Sequence, residues 1–177
     1  FLRHFLGLDW APAAPGDEGA TVRRIVDALE RQDPETARFV ARFAYVLGRV
    51  AYADQSASAV ETRAIERIVM DRSRLPEAQA VLVVQIAKSQ NLLFGGTEDY
   101  VVTREFARAA TREQKLALLD CCFAVSAADE EVSIEEDNVI RRIATELGLT
   151  HEDFIAARMA YRDYLAVLRK PAGLTPD

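Results

Sequence analysis

The chain has 177 residues, of which 50% are hydrophobic and 28% are charged, and its formal net charge is −6. A chain of this length normally folds as one domain with its own buried core. The acidic balance argues against a nucleic-acid-binding protein, which carries a basic face, and no apolar stretch approaches the ~20 residues of a membrane helix.

The N-terminal residues 1–20 predict a short amphipathic helix followed by a linker of Pro, Gly and small residues, and residues 21–177 predict one helical domain. We expect the amphipathic segment to fold back on that domain, because its polar face has little positive charge to hold an anionic membrane. Asp33-Pro34-Glu35 combines an N-cap, a first-turn proline and an acid, which together indicate a helix start. The helices expected in this half cover residues 21–32, 34–50, 58–72 and 76–94.

The second half of the chain predicts four more helices. Thr111 and Gln114 have the spacing of a capping box, which opens a long and nearly all-apolar helix that we expect at the centre of the fold. Gly148 is placed to end the next helix in a left-handed conformation. No segment alternates polar and apolar residues, so the sequence predicts an all-α protein. These helices cover residues 97–109, 111–128, 133–147 and 150–170.

An internal repeat relates two helix–loop–helix units, residues 50–68 and 125–143. A shift of 75 residues aligns them with eight identities in nineteen positions and no gap. The pattern predicts two similar halves packed about a pseudo-two-fold axis. The identical residues are Val50, Ala53, Asp54, Ser58, Glu61, Ile65, Arg67 and Ile68 in the first copy, and Val125, Ala128, Asp129, Ser133, Glu136, Ile140, Arg142 and Ile143 in the second.

Part of the repeated pattern is explained by helix capping. Ser58 with Glu61, and Ser133 with Glu136, have the spacing of capping boxes, in which the hydroxyl and the carboxylate bind otherwise unpaired N–H groups at a helix start. Loss of one cap residue typically costs ~1 kcal/mol. Helix stability is therefore a sufficient reason for these four residues.

Asp54 and Asp129 are not explained by capping, because each lies at or just past the C-terminal end of a helix, where the helix dipole disfavours an anion by about 0.3–1 kcal/mol. The acids that follow Asp129 in the sequence repel one another. Solvent and salt, an arginine from elsewhere in the chain, or a hard cation would offset this repulsion. Oxygen ligands favour Ca²⁺ or Mg²⁺, although the seven positions from Asp to Glu are not the EF-hand spacing. Six acids fall within nine residues of the second copy, namely Asp129, Glu130, Glu131, Glu135, Glu136 and Asp137.

Cysteine and histidine are scarce. The two cysteines, Cys121 and Cys122, are adjacent, and with His4 and His151 they do not supply a Cys/His zinc site. We expect both cysteines to be small core residues, in keeping with a reducing compartment. His151 is expected to face solvent at a helix start.

Four residues near the C-terminus complete the expectations for individual positions. Tyr161 and Tyr164 are expected to pack the last helix onto the bundle, and Arg141 and Arg142 are expected to form an exposed face.

The repeated arrangement of Ala-Asp, Ser-x-x-Glu and Ile resembles the TerB-like family of tellurite-resistance-associated proteins. The similarity spans roughly residues 36–168 and is strongest in the second half, which includes LLDCCFAVSAADEEVSIEEDNVIRRIATELGLTHEDFIAAR. It implies a compact bundle of about seven or eight helices, a role in tellurite resistance or general stress response, and cation binding by the motif acids. In this sequence those acids are Asp54, Glu61, Asp129 and Glu136.

The sequence departs from the family pattern directly after each motif Asp. The family usually has Gly there, whereas this chain has Gln55 and Glu130. Glycine tolerates a left-handed turn that costs other residues about 1–2 kcal/mol. We therefore expect these loops either to follow a different path or to carry backbone strain.

Together these observations predict a non-enzymatic, cytoplasmic module that acts in a stress response, with Ca²⁺ or Mg²⁺ as its cation. The alternative is a metal-free interaction domain that binds another protein with a basic surface. Neither a nucleic acid nor a membrane is an expected partner. An enzyme ranks third, because the usual nucleophile–base pairs are missing, and it would have to be a carboxylate-only hydrolase with two metals.

Overall fold

The computed structural model describes the backbone of residues 17–51, 59–88 and 99–168. These residues contain eight α-helices and no named strand. The predicted all-α fold class is therefore confirmed, whereas the predicted helix within residues 1–16 lies outside the described part of the chain. The helices are α1 (Asp17–Glu30), α2 (Pro34–Ala51), α3 (Ala59–Arg72), α4 (Glu77–Lys88), α5 (Asp99–Ala109), α6 (Arg112–Ser126), α7 (Ile134–Glu146) and α8 (His151–Met159).

Helices α2 and α6 form the centre of the bundle. Helix α2 packs against α4, α5, α6 and α7, and α6 packs against α2, α3, α7 and α8. The predicted central position of α6 is correct, and its capping box of Thr111 and Gln114 is present. The buried residues of α6 are Ala117, Leu118, Leu119, Cys121, Cys122, Phe123, Ala124, Val125 and Ser126.

Aromatic and aliphatic side chains fill the space between these helices. Phe43 of α2 meets Phe106 of α5 edge to face, with ring centroids 6.0 Å apart. On the other side of the bundle, the Phe123 ring of α6 stacks on Tyr161 at 5.7 Å and lies 5.9 Å from Phe154 of α8. The core is thus continuous from α2 through α6 to the C-terminal segment.

The two helix pairs of the internal repeat pack in a reciprocal way. Helix α3 packs against α6, and α7 packs against α2, while α2 and α6 contact each other. Two halves related by a two-fold axis would make this pattern of contacts. The symmetry itself stays a prediction, because the loop of the first copy, residues 52–58, lies outside the described residues.

A buried ion pair crosses the bundle between α2, α5 and α7. Arg49 Nη1 donates to Thr103 Oγ1 at 2.8 Å and to Glu146 Oε2 at 2.5 Å. The side chains of Arg49 and Glu146 are only 7% and 8% exposed. Because a charge in a low-dielectric interior needs a partner, this contact holds the three helices in one register.

The start of α1 and the end of α8 differ from the sequence-based boundaries. Helix α1 begins at Asp17, four residues before the predicted start at Thr21. The last helix ends at Met159, rather than continuing to Pro171, and two 3₁₀ turns follow it at Arg162–Tyr164 and Ala166–Leu168.

The C-terminal segment leaves the helical path because it pairs with another part of the chain. A single parallel β-bridge joins Val132 to Leu165, and both side chains are buried. Tyr161 is buried beside α6, as expected, but Tyr164 is 40% exposed, so the prediction that Tyr164 packs on the bundle is wrong. Arg141 and Arg142 are exposed, as predicted.

No helix of the described residues is both long enough and apolar enough to span a bilayer.

We predict that Arg49→Met lowers the free energy of unfolding by about 3–5 kcal/mol, because Glu146 is left as an unpaired buried charge. The double variant Arg49→Met, Glu146→Leu should recover most of this loss, since apolar side chains replace both charges. Urea denaturation of the three proteins measures the effect. Equal stability of the single and double variants would contradict the assigned role of the pair.

Candidate functional site

The candidate site is the acidic loop between α6 and α7, which we define as residues 127–137. Helix α6 ends at Ser126, and the chain makes a 3₁₀ turn over Ala127–Asp129. Glu130 follows with φ +65° and ψ +6°, in the left-handed region, and its N–H donates to Ala127 O at 3.0 Å. Asp129 therefore lies just past the C-terminal end of a helix, as the sequence predicts.

Glu130 shows that this loop carries the expected backbone strain. Only two described residues other than glycine have positive φ, Arg74 and Glu130. A side chain with a Cβ is disfavoured in this conformation by roughly 1–2 kcal/mol. The chain thus keeps a left-handed turn at the position where the family pattern has glycine, and it does so with an exposed glutamate.

Val132 returns the loop to the core. Its N–H donates to Tyr164 O at 2.7 Å, and its carbonyl accepts from the Ala166 N–H at 3.0 Å. The Val132 side chain is 1% exposed. The C-terminal segment therefore anchors the loop by its backbone, between the exposed acids on one side and the start of α7 on the other.

Ser133 and Glu136 form the predicted capping box at the start of α7. Ser133 Oγ accepts from the Glu136 N–H at 3.1 Å, and Glu136 Oε2 accepts from the Ser133 N–H at 2.8 Å. Glu136 is half-buried, and only its Oε2 atom takes part in the capping box. The structural explanation of these two residues is confirmed for the second copy.

An arginine neutralises Asp137 of the loop in a buried contact. Arg158 of α8 donates from Nε to Oδ1 at 2.8 Å and from Nη2 to Oδ2 at 2.9 Å. Two parallel bonds between a guanidinium and a carboxylate make a strong, directional pair. Sequence analysis raised an arginine from elsewhere as one answer to the acid cluster, but nothing in the spacing identified Arg158 or singled out Asp137.

The structure describes the four proposed cation ligands to different extents. Asp54 lies outside the described residues, and the structure describes only the backbone of Glu61, in α3, and of Asp129. Glu136 is at the N-terminal turn of α7. Where side chains are described, no three His, Cys, Asp or Glu residues are grouped so that they could hold a metal ion.

A second polar cluster joins α3, α6 and the segment after α8. The Tyr161 hydroxyl donates to Asp120 Oδ1 at 2.7 Å, and Arg72 Nη1 donates to Asp120 Oδ2 at 3.0 Å and to the Tyr161 oxygen at 2.9 Å. Burial and the hydrogen bond to Asp120 raise the pKa of Tyr161, which therefore stays protonated and keeps donating at neutral pH. This cluster fastens the C-terminal segment to the bundle.

The two thiols are core groups, as predicted. Cys121 and Cys122 are both free and fully buried. Burial raises the pKa of both thiols, that of Cys122 to about 12, so neither is a thiolate at neutral pH. A thiol needs the ionised form to act as a nucleophile or a ligand.

We predict that Glu130→Gly raises the free energy of unfolding by about 1 kcal/mol, because glycine relieves the left-handed conformation and this gain exceeds its extra chain entropy. For a chain of this size the melting temperature should rise by roughly 2–4 °C. Glu131→Gly is the matched control, since it removes the same charge at a residue without positive φ. Thermal melts with equal shifts for the two variants would contradict the assignment of strain to Glu130.

A family model identifies the family to which the chain belongs. The family model of the tellurite resistance protein TerB matches residues 39–159, which include the acidic loop and seven of the eight helices in whole or in part. Searches of curated proteins and of solved structures found no match. The family match covers well over half of the chain, from α2 to the last residue of α8, and on this basis the chain belongs to the TerB family.

Proposed function

We propose that this chain is a non-enzymatic TerB module that acts in tellurite resistance or a related stress response in the cytoplasm. In this proposal the inter-helix loops of the repeat bind a divalent cation, Ca²⁺ or Mg²⁺. The ligands are Asp129 and Glu136 in the second copy, which contains the acidic loop, and Asp54 and Glu61 in the first copy. Family membership supports the general assignment. The cation and the pathway are the parts that experiments must test.

The left-handed Glu130 is the observation that carries the cation proposal. Backbone strain persists only where its surroundings enforce it, and it is concentrated at functional sites. Here it lies directly after Asp129 in a run of acids that would repel one another by about 1 kcal/mol per close pair in water. A bound cation would offset the repulsion between the acids, and it would explain why the strained conformation is kept.

The contacts of the other acids support the same interpretation. Arg158 compensates Asp137, and Glu136 uses one carboxylate oxygen for the capping box, which leaves Oε1 available to a hard cation. At the start of the turn, the buried Ser126 hydroxyl has no hydrogen-bond partner in the described part of the chain. Such a group normally costs about 1–3 kcal/mol, and a ligand or water near it would reduce that cost.

We assign no catalytic residue. The thiols of Cys121 and Cys122 are buried and protonated, and His151 is exposed at the start of α8 beside the ring of Phe154. These positions suit a binding module.

The cation proposal predicts a thermal shift. At a concentration 100-fold above the dissociation constant, Ca²⁺ or Mg²⁺ should stabilise the fold by ~2.7 kcal/mol, which corresponds to a rise of about 5–10 °C in melting temperature. Sodium chloride of the same ionic strength should produce a smaller shift, because it only screens the acids.

Two variants localise the effect. Asp129→Asn and Glu136→Gln should each reduce the cation-dependent shift, and glutamine at 136 still supports the capping box. Glu113→Gln is the matched control, because Glu113 is an exposed acid in the first turn of another helix. A cation shift equal to the sodium control, or one that Asp129→Asn leaves unchanged, would refute the proposed site.

A second candidate function is a metal-free interaction domain. It is favoured by exposed apolar side chains, Ile134 within the acidic loop and Tyr164 and Leu168 on either side of Leu165, which pairs with Val132 of that loop. In that case a positive charge on a protein partner, rather than a metal ion, compensates the acids.

A further inference from the structure

The C-terminal segment, residues 160–168, is buried at only two of its side chains, those of Tyr161 and Leu165. We propose that this segment holds the acidic loop in its strained conformation, and that closure of the segment and binding of a cation to the loop stabilise each other. The first part of this inference requires no cation. The second part rests on the proposed function and names how the binding site is regulated.

Tyr161 fixes the start of the C-terminal segment on α6. Its ring stacks on Phe123, with centroids 5.7 Å apart, and its hydroxyl donates to Asp120 Oδ1 at 2.7 Å. Arg72 Nη1 donates to the same hydroxyl at 2.9 Å and to Asp120 Oδ2 at 3.0 Å. Because Arg72 and Asp120 also bind each other directly, removal of the hydroxyl weakens this contact without leaving either charge unpaired.

Leu165 fixes the same segment to the acidic loop. It is the bridge partner of Val132, and both side chains are buried. The Val132 N–H donates to Tyr164 O at 2.7 Å, and the Val132 carbonyl accepts from the Ala166 N–H at 3.0 Å. Between the two fixed points, the Tyr164 N–H donates to Tyr161 O at 2.9 Å, within a tight 3₁₀ turn. A displacement of Tyr161 therefore also displaces the hydrogen-bond partners of Val132.

The left-handed Glu130 lies between two restraints. On its N-terminal side, its N–H donates to Ala127 O at the end of the 3₁₀ turn. On its C-terminal side, Val132 is held by the C-terminal segment two residues later. Strained backbone persists only where the surrounding structure enforces it. Opening of the segment would remove the second restraint, so the loop could then relax at Glu130.

Hydrogen exchange of single amides measures this opening, because a hydrogen-bonded amide exchanges with solvent when its bond breaks. The amides of Val132 and Ala166, which form the bridge, should exchange faster than the amide of Cys122 in the middle of α6, because a segment with few buried side chains opens more readily than the core. Exchange of all three amides at one rate would show that the segment opens only when the whole protein unfolds, and would overturn the proposal.

Tyr161→Phe should make both bridge amides exchange at least about tenfold faster, the effect of losing a hydrogen bond to a charged group. Thr103→Val is the matched control. It removes a buried hydroxyl that accepts from Arg49, and it keeps the ion pair of Arg49 with Glu146. That contact is at the other end of α7, about 18 Å of helix away from the loop, so the control should leave exchange at the bridge unchanged. Equal acceleration by the two variants would contradict the role of Tyr161.

Glu130→Gly tests whether the strain depends on the C-terminal segment. Glycine relieves the strain of the closed form, so opening becomes less favourable and both bridge amides should exchange about fivefold more slowly. Loss of a stabilising contact of the Glu130 side chain would act in the opposite direction. Glu131→Gly removes the same charge at a residue without positive φ, and it should not slow exchange. Unchanged exchange in Glu130→Gly would show that the helix end alone enforces the turn, and would overturn the proposal.

Thermodynamic linkage extends the test to the cation. The probe is whichever of Ca²⁺ and Mg²⁺ produces the thermal shift, with sodium chloride of the same ionic strength as the control. At a concentration about 100-fold above the dissociation constant, a cation that binds only the closed form should slow exchange of the bridge amides about 100-fold.

The failure of this inference is distinguishable from the failure of the proposed function. A thermal shift without slower exchange at the bridge would refute the coupling and keep the cation site. The absence of any cation-dependent shift would refute the cation site and the coupling, and exchange in Tyr161→Phe and Glu130→Gly would then decide the conformational role of the segment.

Discussion

The burial of α6 is the constraint on which the acidic loop depends. This helix is surrounded by α2, α3, α7 and α8, and its last ten residues are buried except for Asp120. The chain must leave such a core directly after the helix ends, because buried backbone groups without hydrogen-bond partners are costly. The chain leaves through the 3₁₀ turn and the left-handed Glu130, and it returns to the core two residues later at Val132. The position of the exposed acids is thus a consequence of how the core is closed.

The acids of this loop have different physical roles, although they form one run in the sequence. Asp137 is a structural charge, since Arg158 binds it in a buried contact that joins α7 to α8. Glu136 is a capping residue that uses only its Oε2 atom in the capping box. Glu130 and Glu131 are exposed at the tip, where their charge faces outward. This division explains why the fold tolerates the cluster.

The C-terminal segment is part of the same unit. Tyr161 ties it to Asp120 and Arg72, and its backbone pairs with Val132, so the loop and the segment hold each other in place. A cation at the acidic loop and a basic protein partner would compensate the same run of acids, which relates the two functions that we propose for this TerB-family chain.

Local patterns in the sequence determined the all-α class, the central position of α6, the capping boxes of Thr111 and Ser133, and the left-handed Gly148, because each depends on residues within one or two turns of each other. The mismatch of glutamate with the glycine of the family pattern also indicated strain after Asp129. Only the tertiary structure decided that α8 ends at Met159, since a backbone pairing with Val132 competes with further helix there. It likewise decided that Arg158 is the partner of Asp137 and that Tyr164 faces solvent. These features join residues that are distant in the chain, and no spacing along the sequence encodes which side chains the packing of helices will bring together.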